Sequence, residues 1–319
     1  MKVKKMIDDN SNVFIEALEK NDVDLMKKIP KAEFHNHSAL GCDRKLLIKY
    51  GVHIPKFEEI NSIEEMDIFS KKYVSKFTKT EEGFKFLIVN TVISAINDGI
   101  VILETSIDFR FFKFYSNNIE QGLIFLENLK NKYQDRISLK YDIGLSRKSY
   151  NVQFENLIIK LIDSRMFSGI DIYGDETYND LSKFKNIYKY AKNMGMKLKA
   201  HVGEFGDTKD IINTIKYLDI NVVQHGINIA YSKEDMIYAK ERGIVFNICP
   251  TSNIVLKRAK SLNEHPIRLM YDMGLKITIN TDDLLIFNST LSDEYLKLYS
   301  SKVFNAKELN EIRIKSLNY

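Results

Sequence analysis

The sequence predicts an α/β chain closing as a (β/α)8 TIM barrel with extra helices inserted after its first strand, and three observations carry that expectation. Eight short runs rich in β-branched residues recur along the chain, amphipathic stretches separate them, and the chemically versatile side chains collect at the C-terminal ends of the runs. A length of 319 residues suits a barrel of roughly 250 to 400 residues. With no internal repeat, no low-complexity linker and only 4 prolines, residues 1–319 are expected to form a single domain.

Residues 13–28 (VFIEALEKNDVDLMKK) space their apolar side chains by three and four. They read as one short helix, or two broken near Asn21, ending before Pro30, so residues 1–29 form a helical lead-in. The candidate strands are 32–37, 99–109, 137–146, 168–174, 197–203, 222–226, 244–249 and 276–282. Between the later ones lie helical patterns such as 181–194 and 233–242, each followed by a glycine before the next strand, as helix ends often are. More than 60 residues separate the first two strands. This stretch, 43–97, carries helical patterns at 43–51, 62–79 and 81–97 and is read as a helical insertion suited to a lid.

Composition removes several classes of function. Apolar residues make up 44% and charged ones 28%, as in ordinary globular proteins. Lys and Arg total 47 against 43 acids, a formal charge of +4, and the lysines are scattered instead of forming a stripe that would track a phosphate backbone. The alternation of basic and aromatic residues at 74–80 reads as a solvated helix face. No nucleic-acid partner is expected. The start MKVKKMIDDNSN runs into acids and amides without an apolar stretch of leader length, and no window approaches the roughly 20 apolar residues of a membrane span. A cytoplasmic protein with no membrane partner is expected. Two cysteines, Cys42 and Cys249, make no disulfide framework; with no base evident beside either, both read as packing or rim residues. His53 and His265 lie away from strand ends, and His265, ahead of Pro266, reads as a structural helix start.

His35 and His37 end the first candidate strand, His201 lies in the fifth, His225 ends the sixth, and Asp282 with Asp283 ends the eighth. In a barrel those ends converge on the face where active sites are built. Residues two apart on a strand point the same way, so His35 and His37 could share a cation. Three imidazoles and a carboxylate suit zinc or iron. Glu204, just past the fifth strand, is either an exposed loop acid or a buried carboxyl able to donate a proton. His225 taken alone reads as a core histidine bonded to a carbonyl, and 281–283 (TDD) also fits a helix N-cap with acids in its first turn. All of them on one barrel face favours the catalytic reading.

The segments PKAEFHNH (30–37), GIDIYGDE (169–176), AHVGEFG (200–206), VVQHGINIA (222–230), NICPTSN (247–253) and INTDDLLIFNSTLSDEY (279–295) resemble the adenosine deaminase family of metal-dependent purine aminohydrolases, in an order and spacing covering about residues 30–317. The resemblance implies one zinc ion held by His35, His37, His201 and Asp282. It further implies that Glu204 protonates purine N1, that His225 acts as base and orients the attacking hydroxide, that Asp283 binds N7 and that the Gly174 backbone meets the ring near N3. The implied reaction is hydrolysis of adenosine or deoxyadenosine to the inosine product and ammonia. The P-C-x-x-C motif of the other zinc deaminase type is absent from the sequence.

Two departures bear on the substrate. The family commonly follows its first histidine pair with x-Asp-Gly, whose aspartate meets the ribose; here the chain reads Ser38-Ala39-Leu40-Gly41, with Ser38 or Asp43 as candidate replacements. The family's E-x-R on the second strand is Glu104-Thr105-Ser106, with no arginine before Arg110. Free adenine or another adenine derivative is therefore an alternative substrate. Outside catalysis of purines, the alternatives are a non-catalytic purine-binding protein and an amidohydrolase of a non-purine substrate.

Overall fold

The computed structural model describes residues 10–48, 51–55, 63–116, 118–178 and 180–319. Eight parallel strands occur in chain order: β1 (Lys31–Glu33), β2 (Ile100–Asp108), β3 (Ser138–Ser146), β4 (Phe167–Tyr173), β5 (Lys197–His201), β6 (Val222–Gln224), β7 (Val245–Ile248) and β8 (Lys276–Ile279). Each pairs with the next. The seam between β8 and β1 closes mainly through side chains. Phe34 N–H donates to Asn280 Oδ1 at 2.8 Å, Thr281 N–H to Glu33 Oε1 at 2.9 Å, and Asp282 N–H to the His35 carbonyl at 3.2 Å. The result is the expected (β/α)8 barrel.

The strands alternate in character because one face meets the helices and the other meets the barrel axis. Leu103 and Ile107 of β2, Leu139, Tyr141, Ile143 and Leu145 of β3, and Phe246 and Ile248 of β7 are buried in the same apolar cluster as Leu126, Ile158 and Ile187 of the surrounding helices. The alternate positions are polar and bond across the interior. Lys199 Nζ sits 2.8 Å from Glu104 Oε2 and 2.6 Å from Asp142 Oδ2. Further round, Asn247 Nδ2 donates to Gln224 Oε1, Thr278 Oγ1 to Asn247 Oδ1, and Asn280 Nδ2 to Thr278 Oγ1, each at 2.8 Å. Buried polar groups are tolerable when paired in this way.

The lead-in forms two helices, Ser11–Glu19 and Val23–Met26, broken at Asn21, whose φ is +50°. Between β1 and β2 lie helices Arg44–Ile48, Ile63–Tyr73, Ser75–Thr78 and Glu81–Asn97. The expected helical insertion is thus present where described, and the parts of the 43–51 and 62–79 patterns at 49–50 and 62 lie outside the described residues. So does most of the N-terminal stretch read for a leader, residues 1–9. No helix among the described residues is long and apolar enough to cross a membrane.

Several strands end earlier than the sequence suggests, three of them just before site residues. The first stops at Glu33, the sixth at Gln224 and the eighth at Ile279. The residues beyond belong to the site, where the chain leaves the ladder so that side chains can be aimed. His37 makes only an isolated bridge to Ser106, and Asn36 only one to Asp282. His225 and Asp282 adopt left-handed φ values of +60° and +62°, a conformation costing non-glycine residues about 1–3 kcal/mol and concentrated at functional sites.

Candidate active site

At the C-terminal mouth of the barrel a cavity of about 550 Å³ is lined by His37, Gly174, His201, Glu204, Asp282 and Asp283, among others. His35, His37, His201 and Asp282 each offer one ligand atom within 4.8 Å of the others. The tautomers fit convergence. His35 Nδ1 faces the Asn247 carbonyl at 3.3 Å, and His201 Nδ1 faces the Ile172 carbonyl at 3.1 Å and Asp171 Oδ1 at 3.2 Å. With Nδ1 engaged as donor, each Nε2 is left as the acceptor.

Those nitrogens crowd together. His37 Nε2 lies 3.1 Å from His201 Nε2, while His35 Nε2 and His37 Nε2 lie 3.4 and 3.5 Å from Asp282 Oδ1. His35 Nε2 is buried without a hydrogen-bond partner. Burial pulls the His37 pKa down to about 4 and that of His201 well below its ordinary value, so both rings are neutral near neutral pH. Burial works against ionisation of Asp282, yet the imidazoles of His35, His225 and His37 outweigh it and hold the carboxyl below its usual range. Three converging imidazole nitrogens, one orphaned, beside an ionised carboxylate are a donor set that fits a divalent cation.

The other acids behave differently. Burial, then the charges of Asp282 and Glu176, push Glu204 well above the carboxylate range; burial, then Asp282 and Glu204, do the same to Asp283. Both carboxyls therefore favour the protonated, donating form more than an exposed acid would. The exposed-loop alternative for Glu204 does not hold, since the residue is 6% exposed. Nor does Asp283 cap the helix Leu284–Phe287 through its side chain; Asp283 Oδ1 is buried and unpartnered. His225, also buried, has Nε2 3.8 Å from Asp282 Oδ2 and Nδ1 3.5 Å from Glu204 Oε1, and burial drives its pKa well below the ordinary value. Gly174, at φ +95°, brings main chain to the cavity wall in a conformation that favours glycine.

Several residues that hold this arrangement were not singled out from the sequence. Glu176 accepts four backbone N–H groups from the loop that carries Glu204: Gly203 and Gly206 on Oε2 at 2.7 and 2.9 Å, Glu204 and Phe205 on Oε1 at 3.0 and 3.2 Å. Asn253 Nδ2 donates to Glu204 Oε1 at 2.8 Å, and Ser252 Oγ to Asp282 Oδ2 at 2.8 Å. Arg147, buried, donates to the His201 carbonyl at 2.8 Å. Glu176, Ser252 and Asn253 sit in the GDE and PTSN stretches following β4 and β7, the place where strand-end reasoning would search. Cys249, read from sequence as having no base near it, has its sulfur within 4.8 Å of ring nitrogens of His35 and His225, and burial keeps the thiol protonated. His265 is more than a helix start: it is buried, with Nε2 3.2 Å from Asn253 Oδ1.

Where the ribose-binding aspartate is missing, Ser38 and Ser106 line the cavity, and both hydroxyls are buried without hydrogen-bond partners. Asp43 is not among the lining residues; its carboxylate accepts the Lys45 N–H at 2.8 Å. On the same rim Asp108 is gripped by Arg110 and by Tyr173, whose hydroxyl donates to Oδ2 at 2.6 Å.

The comparisons agree with this geometry. The family model described as Adenosine deaminase matches residues 30–319. A Treponema pallidum protein bearing the name adenosine/adenine deaminase is 32% identical over 85% of this chain and 91% of its own length, and the adenosine deaminase of Plasmodium vivax is 28% identical over 89% and 84%. The crystal structure of an amidohydrolase from Burkhoderia ambifaria with bound zinc shares the fold at a TM-score of 0.72 and 18% identity, over 91% of this chain and 85% of that one. The chain belongs to the adenosine deaminase family of metal-dependent hydrolases.

Proposed function

We propose that the protein hydrolyses the exocyclic amine of a 6-aminopurine, adenosine or deoxyadenosine first among them, releasing ammonia and the 6-oxo product. The observation that carries this is the split among its acids. Asp282 is biased toward the ionised form amid histidines, whereas burial biases Glu204 and Asp283, which line the same cavity, toward the protonated form. A purine ring presents acceptor nitrogens at N1 and N7, and two carboxyls biased toward protonation are donors of matching polarity.

In this reading His35, His37, His201 and Asp282 would hold one zinc ion, the metal favoured by such a donor set. When bound, the metal would supply a water-derived nucleophile at neutral pH by lowering the pKa of water. Glu204 gives its proton to N1, drawing electron density from C6 as the new C–O bond forms. Asp283 donates to N7 and the Gly174 main chain meets the N3 edge, which fixes the ring plane. His225, whose Nε2 lies 3.8 Å from Asp282 Oδ2, orients the attacking oxygen, and the proton on that oxygen passes to the leaving amine, so that the C–N bond breaks to ammonia. Ser38 and Ser106 face whatever N9 carries, with neutral hydroxyls where the family places a carboxylate.

The adenosine/adenine deaminase name borne by the Treponema pallidum relative supports adenine as the second substrate to test. Ammonia release and ultraviolet change should be measured on adenosine, deoxyadenosine, adenine, AMP and N6-methylated analogues, before and after chelation. Turnover that chelation abolishes and zinc restores is expected; no turnover of any 6-aminopurine by the zinc-loaded protein would sink the proposal.

A further inference from the structure

Two residues beyond the expected set, His265 and Asn253, stand in line with Glu204. The line begins at a group whose polarity is fixed. The backbone N–H of Ile267 donates to His265 Nδ1 at 3.1 Å, and a ring nitrogen that accepts carries no hydrogen. Burial brings the His265 pKa down to about 4, so the neutral ring has its one proton on Nε2. That nitrogen lies 3.2 Å from Asn253 Oδ1. An N–H needs an acceptor opposite it, which settles the orientation of the amide, otherwise an open choice. The amide nitrogen then faces Glu204 Oε1 at 2.8 Å and His225 Nδ1 at 3.3 Å. It can only donate, so Oε1 can only accept.

We propose that His265 and Asn253 are positioning residues for the deamination, holding the carboxyl proton of Glu204 on Oε2, the oxygen free to meet the substrate nitrogen. The proposal rests on the reading of Glu204 as the proton donor. A neutral carboxyl left to itself exchanges its proton between the two oxygens and presents it for only part of the time. Here a series of one-way donors begins at main chain and ends on Oε1. His265 is 3% exposed and Asn253 0%, so water has no ready access to take the place of either.

Long-range proton–nitrogen correlation NMR of the isotope-labelled, zinc-loaded protein should show His265 as the Nε2–H tautomer at neutral pH; an Nδ1–H tautomer overturns the proposal at its first link, whatever the variants do. His265→Leu should lower kcat about a hundredfold, the scale on which small misplacements near the chemistry act, with KM and metal content near wild type. His265→Gln, whose side-chain N–H can replace Nε2, should recover most of that loss. Wild-type kcat in His265→Leu beside an inactive Glu204→Gln variant overturns the positioning role alone. A fully active Glu204→Gln variant overturns the reading of Glu204 on which the proposal depends.

Discussion

Glu176→Gln tests how the loop carrying Glu204 is held. The wild-type carboxylate accepts two N–H groups on each oxygen. The replacement has almost the same volume but only one accepting oxygen, so one pair of bonds is lost and an NH2 group faces two N–H donors. Hydrogen bonds to a charged group contribute about 1.5–3 kcal/mol each. Glu176 is only partly buried and water can reach part of the loop, so the lower end applies, about 3 kcal/mol for the pair. If that loss falls on the catalytic loop conformation, kcat/KM drops about a hundredfold, since about 1.4 kcal/mol corresponds to tenfold. Zinc content should not change, because the loop follows His201 instead of containing it.

The same substitution has a signed pH effect. Burial is the largest cause of the raised Glu204 pKa, with the charges of Asp282 and then Glu176 adding to it. Turnover needs the protonated acid and is lost as pH rises through its pKa. Removing the Glu176 charge lowers that pKa, so the alkaline limb of the kcat/KM profile moves to lower pH. Steady-state kinetics across pH, with metal analysis, decide the matter. A variant with wild-type kcat/KM and an unmoved alkaline limb would refute the argument.

Two further outcomes are expected. Ser38→Ala and Ser106→Ala should raise KM for nucleosides several-fold while leaving turnover of free adenine unchanged, because the proposed function places these hydroxyls toward the N9 substituent; equal effects on both substrates would remove them from sugar recognition. Lys199→Met, at the bottom of the barrel, leaves Glu104 and Asp142 buried without their shared cation and should destabilise the protein by about 3–5 kcal/mol. Thermal unfolding of the zinc-loaded variant within a degree or so of wild type would contradict that assignment.

The barrel itself was legible because parallel strands separated by helices leave a periodic trace, and all eight runs are strands. Their ends were less legible. His35, His225 and Asp282 continue the β-rich pattern in sequence, yet the chain departs from the ladder there, through positive φ at His225 and Asp282, which no local propensity announces. The converging side chains were readable from strand-end placement together with the family resemblance. Their supports were not: Glu176, Asn253 and His265 have partners 12 to 49 residues away, and spacing along a strand carries no such information. His265 does sit at a helix start, where its ring accepts the Ile267 N–H, but its second contact, to Asn253, had no trace in the sequence.

The seam between β8 and β1 bears on how the protein assembles. Glu33 and Thr281, joined across it, are 248 residues apart in sequence, and the clustered ligand atoms straddle the same seam: His35 and His37 on one side, Asp282 on the other. A cation seated there would fasten the first strand to the last. It would bind the closed barrel and not the open chain, so every tenfold excess over its dissociation constant would add about 1.4 kcal/mol against unfolding. The ion that equips the site for hydrolysis would thus also act as the clasp of the fold, and metal starvation would threaten the protein's lifetime as well as its turnover.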